Sequence, residues 1–236
     1  MLIEDQMAKK ARLAAGRRER PRKRAEQQRS IETRAAILDA AIAEFAERGF
    51  EGASIRAIAD RLDLQHPLIT YHYRSKDILW RAAAEHAFAQ IRAEWDRSAQ
   101  EGTDLSPLAR LRQEYTTLFR YTVAFPEFHR FMRQETLTSN PRLNWVAGTV
   151  LAPLLERLLP QIAAAQKQGL LPAVDPILFH YMMVSLTATL SEFGPEMQVT
   201  SGLSSDDPTV VAAYWRLVDE TVFGKDPSSD RRGKRT

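Results

Sequence analysis

TRAAILDAAIAEFAERGFEGASIRAIADRLDLQHPLITYHYRSKDIL, residues 33–79, is the stretch from which the rest of the chain is read. Together with Ile31 just ahead of it, Ala35, Leu38, Ala41, Ile42 and Phe45 recur at three- and four-residue steps, which makes one apolar helix face. Gly49 follows Arg48 and is suited to the left-handed conformation that stops a helix. Ser54 is placed to cap a short second helix over 54–61, with Ile55, Ile58, Ala59 and Leu62 pointing inward. A turn at Asp63-Leu64 leads to a third helix over 65–71, with Pro67 in its first turn, where a missing N–H costs little. Ser75 then caps a long fourth helix over 75–99.

Outward from this stretch the helical period continues. Segments are expected over 106–124, 127–138, 141–168, 175–193 and 208–223, with a polar break at Gly102-Thr103-Asp104 and no strand pattern. Pro153 and Pro160 fall inside the third of these, so it should kink at them or divide in two. The fold class expected is all-α.

Charge is unevenly placed along the chain. The formal net charge is +3, but residues 1–30 alone carry +6 and the tail from Lys225 carries +3, which leaves about −6 for the middle. Residues 1–29 have no sustained apolar stripe and are expected to be a disordered basic arm; 225–236 are expected to be a second basic, disordered tail. Between them lie an expected head at 30–76 and a helical body at 77–224. Basic tails attract polyanions, nucleic acid first and membrane headgroups second. There is no cysteine, which excludes disulfides, thiolate catalysis and cysteine-ligated zinc. No run approaches the ~20 apolar residues of a membrane span. The charged N-terminus is unlike a signal peptide, so a cytoplasmic location is expected. No GxSxG, HExxH, phosphate loop or GxGxxG occurs in context, and His66, His72, His86, His129 and His180 include no pair at helical ligand spacing. Neither an enzyme nor a metal or cofactor site is expected.

The succession in residues 33–79 resembles the DNA-binding domain of the TetR family. The most diagnostic parts are Ala41, Phe45 and Gly49-Phe50, then Ser54-Ile55-Arg56-Ala57-Ile58-Ala59, then Tyr71-His72-Tyr73-Arg74-Ser75-Lys76-Asp77. In a helix-turn-helix the second short helix enters the major groove and presents its N-terminal side chains to base edges. Those would be Gln65, His66 and Pro67, with Leu68 and Thr70 further along. Gln suits adenine, while Thr and apolar side chains suit the thymine methyl. Ser54, Tyr71, His72 and Lys76 match family positions that contact phosphates, and Tyr73 is expected in the core. Two positions depart from the family pattern: Asp63 stands where glycine is commonest, and His66-Pro67 replaces a more usual basic or serine–glycine pair. Residues 31–76 hold six basic side chains against seven acidic ones, so counterion-release energy must come from elsewhere. The arm would supply it by following the backbone or entering the minor groove; the bland alternative is a solvated leader, or a mis-start upstream of Met7.

The resemblance implies a homodimeric repressor that binds double-stranded operator DNA and is released by a small-molecule effector, hydrophobic or amphipathic, held in the C-terminal helical ligand-binding and dimerisation domain. The candidate pocket residues are Phe88, Tyr115, Phe119, Phe128, Met132, Glu135, Trp145 and His180, with His129 and Asn144 as further polar candidates. Dimerisation is expected through 175–193 and 208–223, where Ser185, Thr187, Ala188 and Thr189 are small and Val210, Val211, Tyr214, Leu217 and Val218 are apolar. The alternative is a helical protein that uses its basic arm for non-specific DNA or membrane association, without an effector.

Overall fold

The computed structural model describes the backbone of residues 2–100, 105–136 and 139–224, and the side chains of 24–97, 105–135 and 139–224. The tail 225–236 and the expected break at 102–104 lie outside them. Ten α-helices follow one another among the described residues: α1 (Leu2–Gly52), α2 (Ile55–Arg61), α3 (His66–His72), α4 (Lys76–Gln100), α5 (Pro107–Ala124), α6 (Pro126–Thr136), α7 (Pro141–Val146), α8 (Ala152–Lys167), α9 (Pro176–Ser201) and α10 (Pro208–Phe223). The expected all-α fold, a helix-turn-helix head and a helical body, is the fold observed.

The starts of the body helices follow a local rule. Ser106, Asn140, Asp175 and Asp207 each cap a helix, and each is followed at once by proline. The cap side chain accepts an N–H that has no partner within the helix, and proline has no N–H to leave orphaned. Thus Ser106 accepts from Ala109 and Asn140 from Leu143, while Asp175 and Asp207 accept from Ile177 and Thr209.

Two expectations are corrected, and a third is met. Helix α1 does not begin near Ile31; its backbone is helical from Leu2. The arm is rich in Ala, Arg, Lys, Glu and Gln, all good helix formers, and propensity here carries what an apolar stripe does not. The segment over 141–168 divides in two, one of the two outcomes expected of it. A five-residue π-helical turn, Ala147–Leu151, precedes Pro153, and the Ala152 N–H reaches back to the Ala147 carbonyl. Proline lacks an N–H and its ring collides with the carbonyl four residues back, so the wider turn relieves both conflicts. Helix α8 runs on through Pro160. Helix α9 continues eight residues beyond Phe193, through Pro195, to a left-handed cap at Gly202 with φ 73°. The residue before Pro195 is Gly194, which has no Cβ to clash with the ring.

Head and body share one continuous apolar core. Phe45 of α1 lies 6.2 Å from Phe131 of α6, which lies 5.4 Å from the fully buried Trp80 of α4. Trp80 in turn meets Trp145 of α7 edge-on at 5.9 Å. Gln134, one turn along α6, donates to the Ala46 carbonyl at 3.4 Å. At the far end of the body, Arg112 of α5 grips Asp219 of α10 with both Nε, at 2.6 Å, and Nη2.

Truncating a buried aromatic at this junction leaves a cavity with little freedom to collapse. Phe131→Ala is expected to cost about 3–5 kcal/mol, read as a lower urea midpoint, with head and body unfolding in one transition.

Candidate nucleic-acid interface and ligand cavity

Gly49 ends the straight run of α1 with φ 66°, and the Gln134 amide lies within contact distance of where a Cβ would stand. Phe50 folds back to stack on Phe45 at 6.0 Å. Ser54 caps α2 as expected, accepting from the Ala57 N–H at 3.0 Å and leaving its own hydroxyl proton unused in that bond. Arg61 closes α2 onto α1 by donating to the buried Glu44 and to Glu47. Asp63 turns the chain at φ 51°, a left-handed conformation that Asp tolerates better than most residues, and the Leu64 N–H bonds back to the Ala59 carbonyl.

Helix α3 rests on the fully buried Ile69 and presents the opposite side outward. Gln65, its N-cap, is exposed, as are His66, Pro67 and Leu68. Thr70 is half-buried and its hydroxyl donates to the His66 carbonyl at 2.9 Å, which leaves its methyl for contact. Tyr71 is 81% exposed whereas Tyr73 is buried, the division expected of alternate positions at a helix end. His72 is half-buried against Tyr71, ring centres 5.3 Å apart, and its Nδ1 is sealed without a partner among the described residues.

Lys76 departs from its expected place on the surface. Its ammonium turns inward, donating at 3.2 Å to the carbonyls of both Glu51 and Ala53, and lies 4.7 Å from the Phe50 ring centre. It joins the start of α4 to the exit of α1. The reason is electrostatic: these carbonyls end the last turn of α1, where a cation is favoured.

The body encloses a cavity of about 340 Å³ between α4, α5, α6, α8 and α9, within the range of small-molecule sites. Its wall is mostly apolar: Phe88, Ile91 and Trp95 of α4, Leu118 of α5, Phe128 and Met132 of α6, and Leu154, Leu155 and Leu158 of α8. Of the expected pocket residues, Phe88, Phe128, Met132 and His180 line it. The other four do not, each for a packing reason. Tyr115 stands behind His180, its hydroxyl 3.1 Å from Nδ1. Phe119 faces away and stacks on Trp215 of α10 at 4.6 Å. Glu135 is buried against Arg142 at 2.8 Å. Trp145 belongs to the head–body junction.

Ile91, Trp95 and the α8 leucines were missed because an apolar stripe does not say which of its members meet a void. Arg133 and Glu192 also line the cavity, as an ion pair with His129 3.5 Å from the Glu192 carboxylate. Burial, and then Arg133 beside it, hold His129 below its ordinary pKa. Burial pushes His180 down to about 4, so that it is neutral near pH 7. Asn144 is exposed.

Comparison with known proteins agrees with this arrangement. Residues 37–83 match the model of bacterial regulatory proteins, tetR family. The chain is 25% identical over 173 residues to the HTH-type transcriptional regulator RutR of Escherichia coli (strain K12), covering 73% of this chain and 80% of that protein. It is 29% identical over 168 residues to the HTH-type transcriptional repressor NicS of Pseudomonas putida, covering 67% and 74%. The fold is similar to that of AibR in complex with isovaleryl coenzyme A and operator DNA, with a TM-score of 0.65 at 16% identity over 82% of this chain and all of that one.

Two outcomes follow from this geometry. Lys76→Ala should lower stability by roughly 1–3 kcal/mol, since two carbonyls lose a charged donor, whereas Tyr71→Phe should leave the melting temperature unchanged; calorimetry of both variants checks this. Below pH 6.5 the unfolded chain takes up a proton at His180 that the folded protein refuses until about pH 4. Stability attributable to this residue is therefore complete above pH 6.5 and declines across that window by about 3 kcal/mol. The slope of urea midpoint against pH should be shallower in His180→Gln.

Proposed function

We propose that the chain is a DNA-binding transcriptional regulator of the TetR family, a homodimeric repressor whose grip on operator DNA is released by a small apolar effector. One observation carries the reading. The buried Ile69 seats α3, and Gln65, His66, Pro67, Leu68 and Tyr71 stand exposed beside one another, the presentation a recognition helix needs in the major groove. Gln65 with the Thr70 methyl would read bases, and Ser54, Tyr71 and His72 would meet phosphates. Lys76 serves the head chiefly by fastening α4, with its third donor left for a phosphate. Because residues 31–76 are not basic overall, the arm ahead of them supplies the non-specific attraction.

Dimerisation through α9 and α10 is supported by what those helices leave uncovered. Leu178, Met182 and Phe193 of α9 are exposed, and Leu217 of α10 is 64% exposed. The Ser185 and Thr189 positions between them are small enough for close approach of a second copy. Thr187, Ala188 and Val218, by contrast, are buried within the single chain and belong to its own core.

We further propose a functional division near residue 76, with the head at 30–76 and the effector-binding and dimerising body at 77–224. The cavity would act on the head through α6. Phe128, His129, Met132 and Arg133 line the void, while Phe131 and Gln134 hold α1. Polar contacts of α4 run alongside: His86 Nε2 donates to Asp39 of α1 at 2.9 Å, and the Tyr121 hydroxyl of α5 donates to Gln90 at 3.2 Å. An effector that prefers one placing of α6 and α4 shifts the heads away from the half-site spacing of ~34–36 Å.

The test is selection of a preferred duplex from a random library, followed by competition against unselected DNA. The native protein should discriminate by ~10³ or more. Gln65→Ala should relax preference at particular bases. Leu217→Glu should sediment as a monomer and lose most of the discrimination. A native protein that binds all duplexes equally would overturn the operator reading in favour of non-specific association through the arm.

A further inference from the structure

Most polar groups in the cavity wall already have partners. The Thr122 hydroxyl lies within bonding distance of the Phe119 and Thr187 carbonyls, and those of Thr187 and Ser185 donate to Val184 and Tyr181. Arg133 and Glu192 neutralise each other, and His129 faces that same carboxylate. His180 is different. It is 4% exposed, it lines the cavity, and only its Nδ1 is engaged, by a residue that stands behind it and does not line the cavity. Nε2 is the ring atom left to face inward, and it has no partner among the described residues.

The Tyr115 hydroxyl sets which proton Nε2 carries. Tyr115 is 1% exposed, its hydroxyl has no other partner among the described residues, and burial raises its pKa, so the phenol keeps its proton and must donate it. Among the described residues the only acceptor in reach is Nδ1, at 3.1 Å. A neutral imidazole that accepts at Nδ1 holds its hydrogen at Nε2. We infer that Tyr115 and His180 together give the cavity one fixed hydrogen-bond donor, and that its ligand is a neutral, largely apolar molecule bearing a carbonyl-type acceptor. A carboxylate or amine would enter a site whose charges are already paired, at the cost of burying an unmatched ion. This inference rests on the effector reading above and narrows it to a chemical class.

The test uses the full-length protein and a matched pair of fluorescent probes: the neutral naphthyl ketone prodan, and the propyl naphthalene in which a methylene replaces its carbonyl. The native protein should bind the ketone roughly tenfold tighter, the equivalent of one net hydrogen bond. Emission of the bound ketone should be shifted to the red, as a hydrogen-bonded carbonyl requires. His180→Leu should bind both probes alike and lose the red shift. His180→Gln, whose amide can still donate, should keep most of the preference, and Tyr115→Phe should weaken it by freeing the tautomer. Equal affinity of the native protein for the two probes, or a preference that survives His180→Leu, overturns the donor and leaves the effector reading standing. Failure of both probes to bind overturns the inference together with the effector reading. Duplex discrimination is measured separately and is untouched by either result.

Discussion

The contact of Phe131 with Phe45 on one side and Trp80 on the other is the constraint on which the rest of the molecule depends. It brings α1, α4 and α6 to one point, so that the core of the small head runs on into that of the body. A three-helix unit of this size buries too little apolar surface to stand far from the threshold of stability. Here the deficit is met by the body. The placing of the head is therefore set in part by Trp80 and Phe131, which lie outside the DNA-reading stretch.

The same constraint gives α6 two duties on two sides of one short helix. Phe128 and Met132, four residues apart, face the void; Phe131 and Gln134, three apart, face α1. At roughly 100° per residue, positions 128, 129, 132 and 133 fall on one side of the helix axis and 131 and 134 on the other. A close-packed junction does not deform gradually. A ligand that displaces the cavity side of α6 must move the head side with it or break the aromatic contacts. The bond from His86 to Asp39 adds a polar connection between α4 and α1.

Much of the head was legible in the chain itself, because its signals are local. Gly49, Ser54, Asp63 and Ser75 each act on backbone within a few residues, and each does in the structure what its chemistry suggests. The cap-and-proline starts at 106–107, 140–141, 175–176 and 207–208 are legible for the same reason. Lys76 was not. Its partners lie 25 and 23 residues earlier, and a lysine at a helix start reads equally well as a phosphate ligand until the carbonyls of Glu51 and Ala53 are seen beneath it.

The pocket shows the boundary most sharply. Its apolar character and general place follow from a body rich in Phe, Trp, Leu and Met. Which of those side chains face a void depends on how five helices pack, and one helical step separates a wall residue such as Leu118 from the core residue Phe119. Periodicity by itself determined the helices, their caps and the exposed reading edge of α3, since these arise from interactions within a turn or two. Tertiary structure alone decided that the head leans on α6, that Lys76 turns inward, and that Tyr115 stands behind His180. Each of those outcomes joins residues distant along the chain, and only close packing can bring them together.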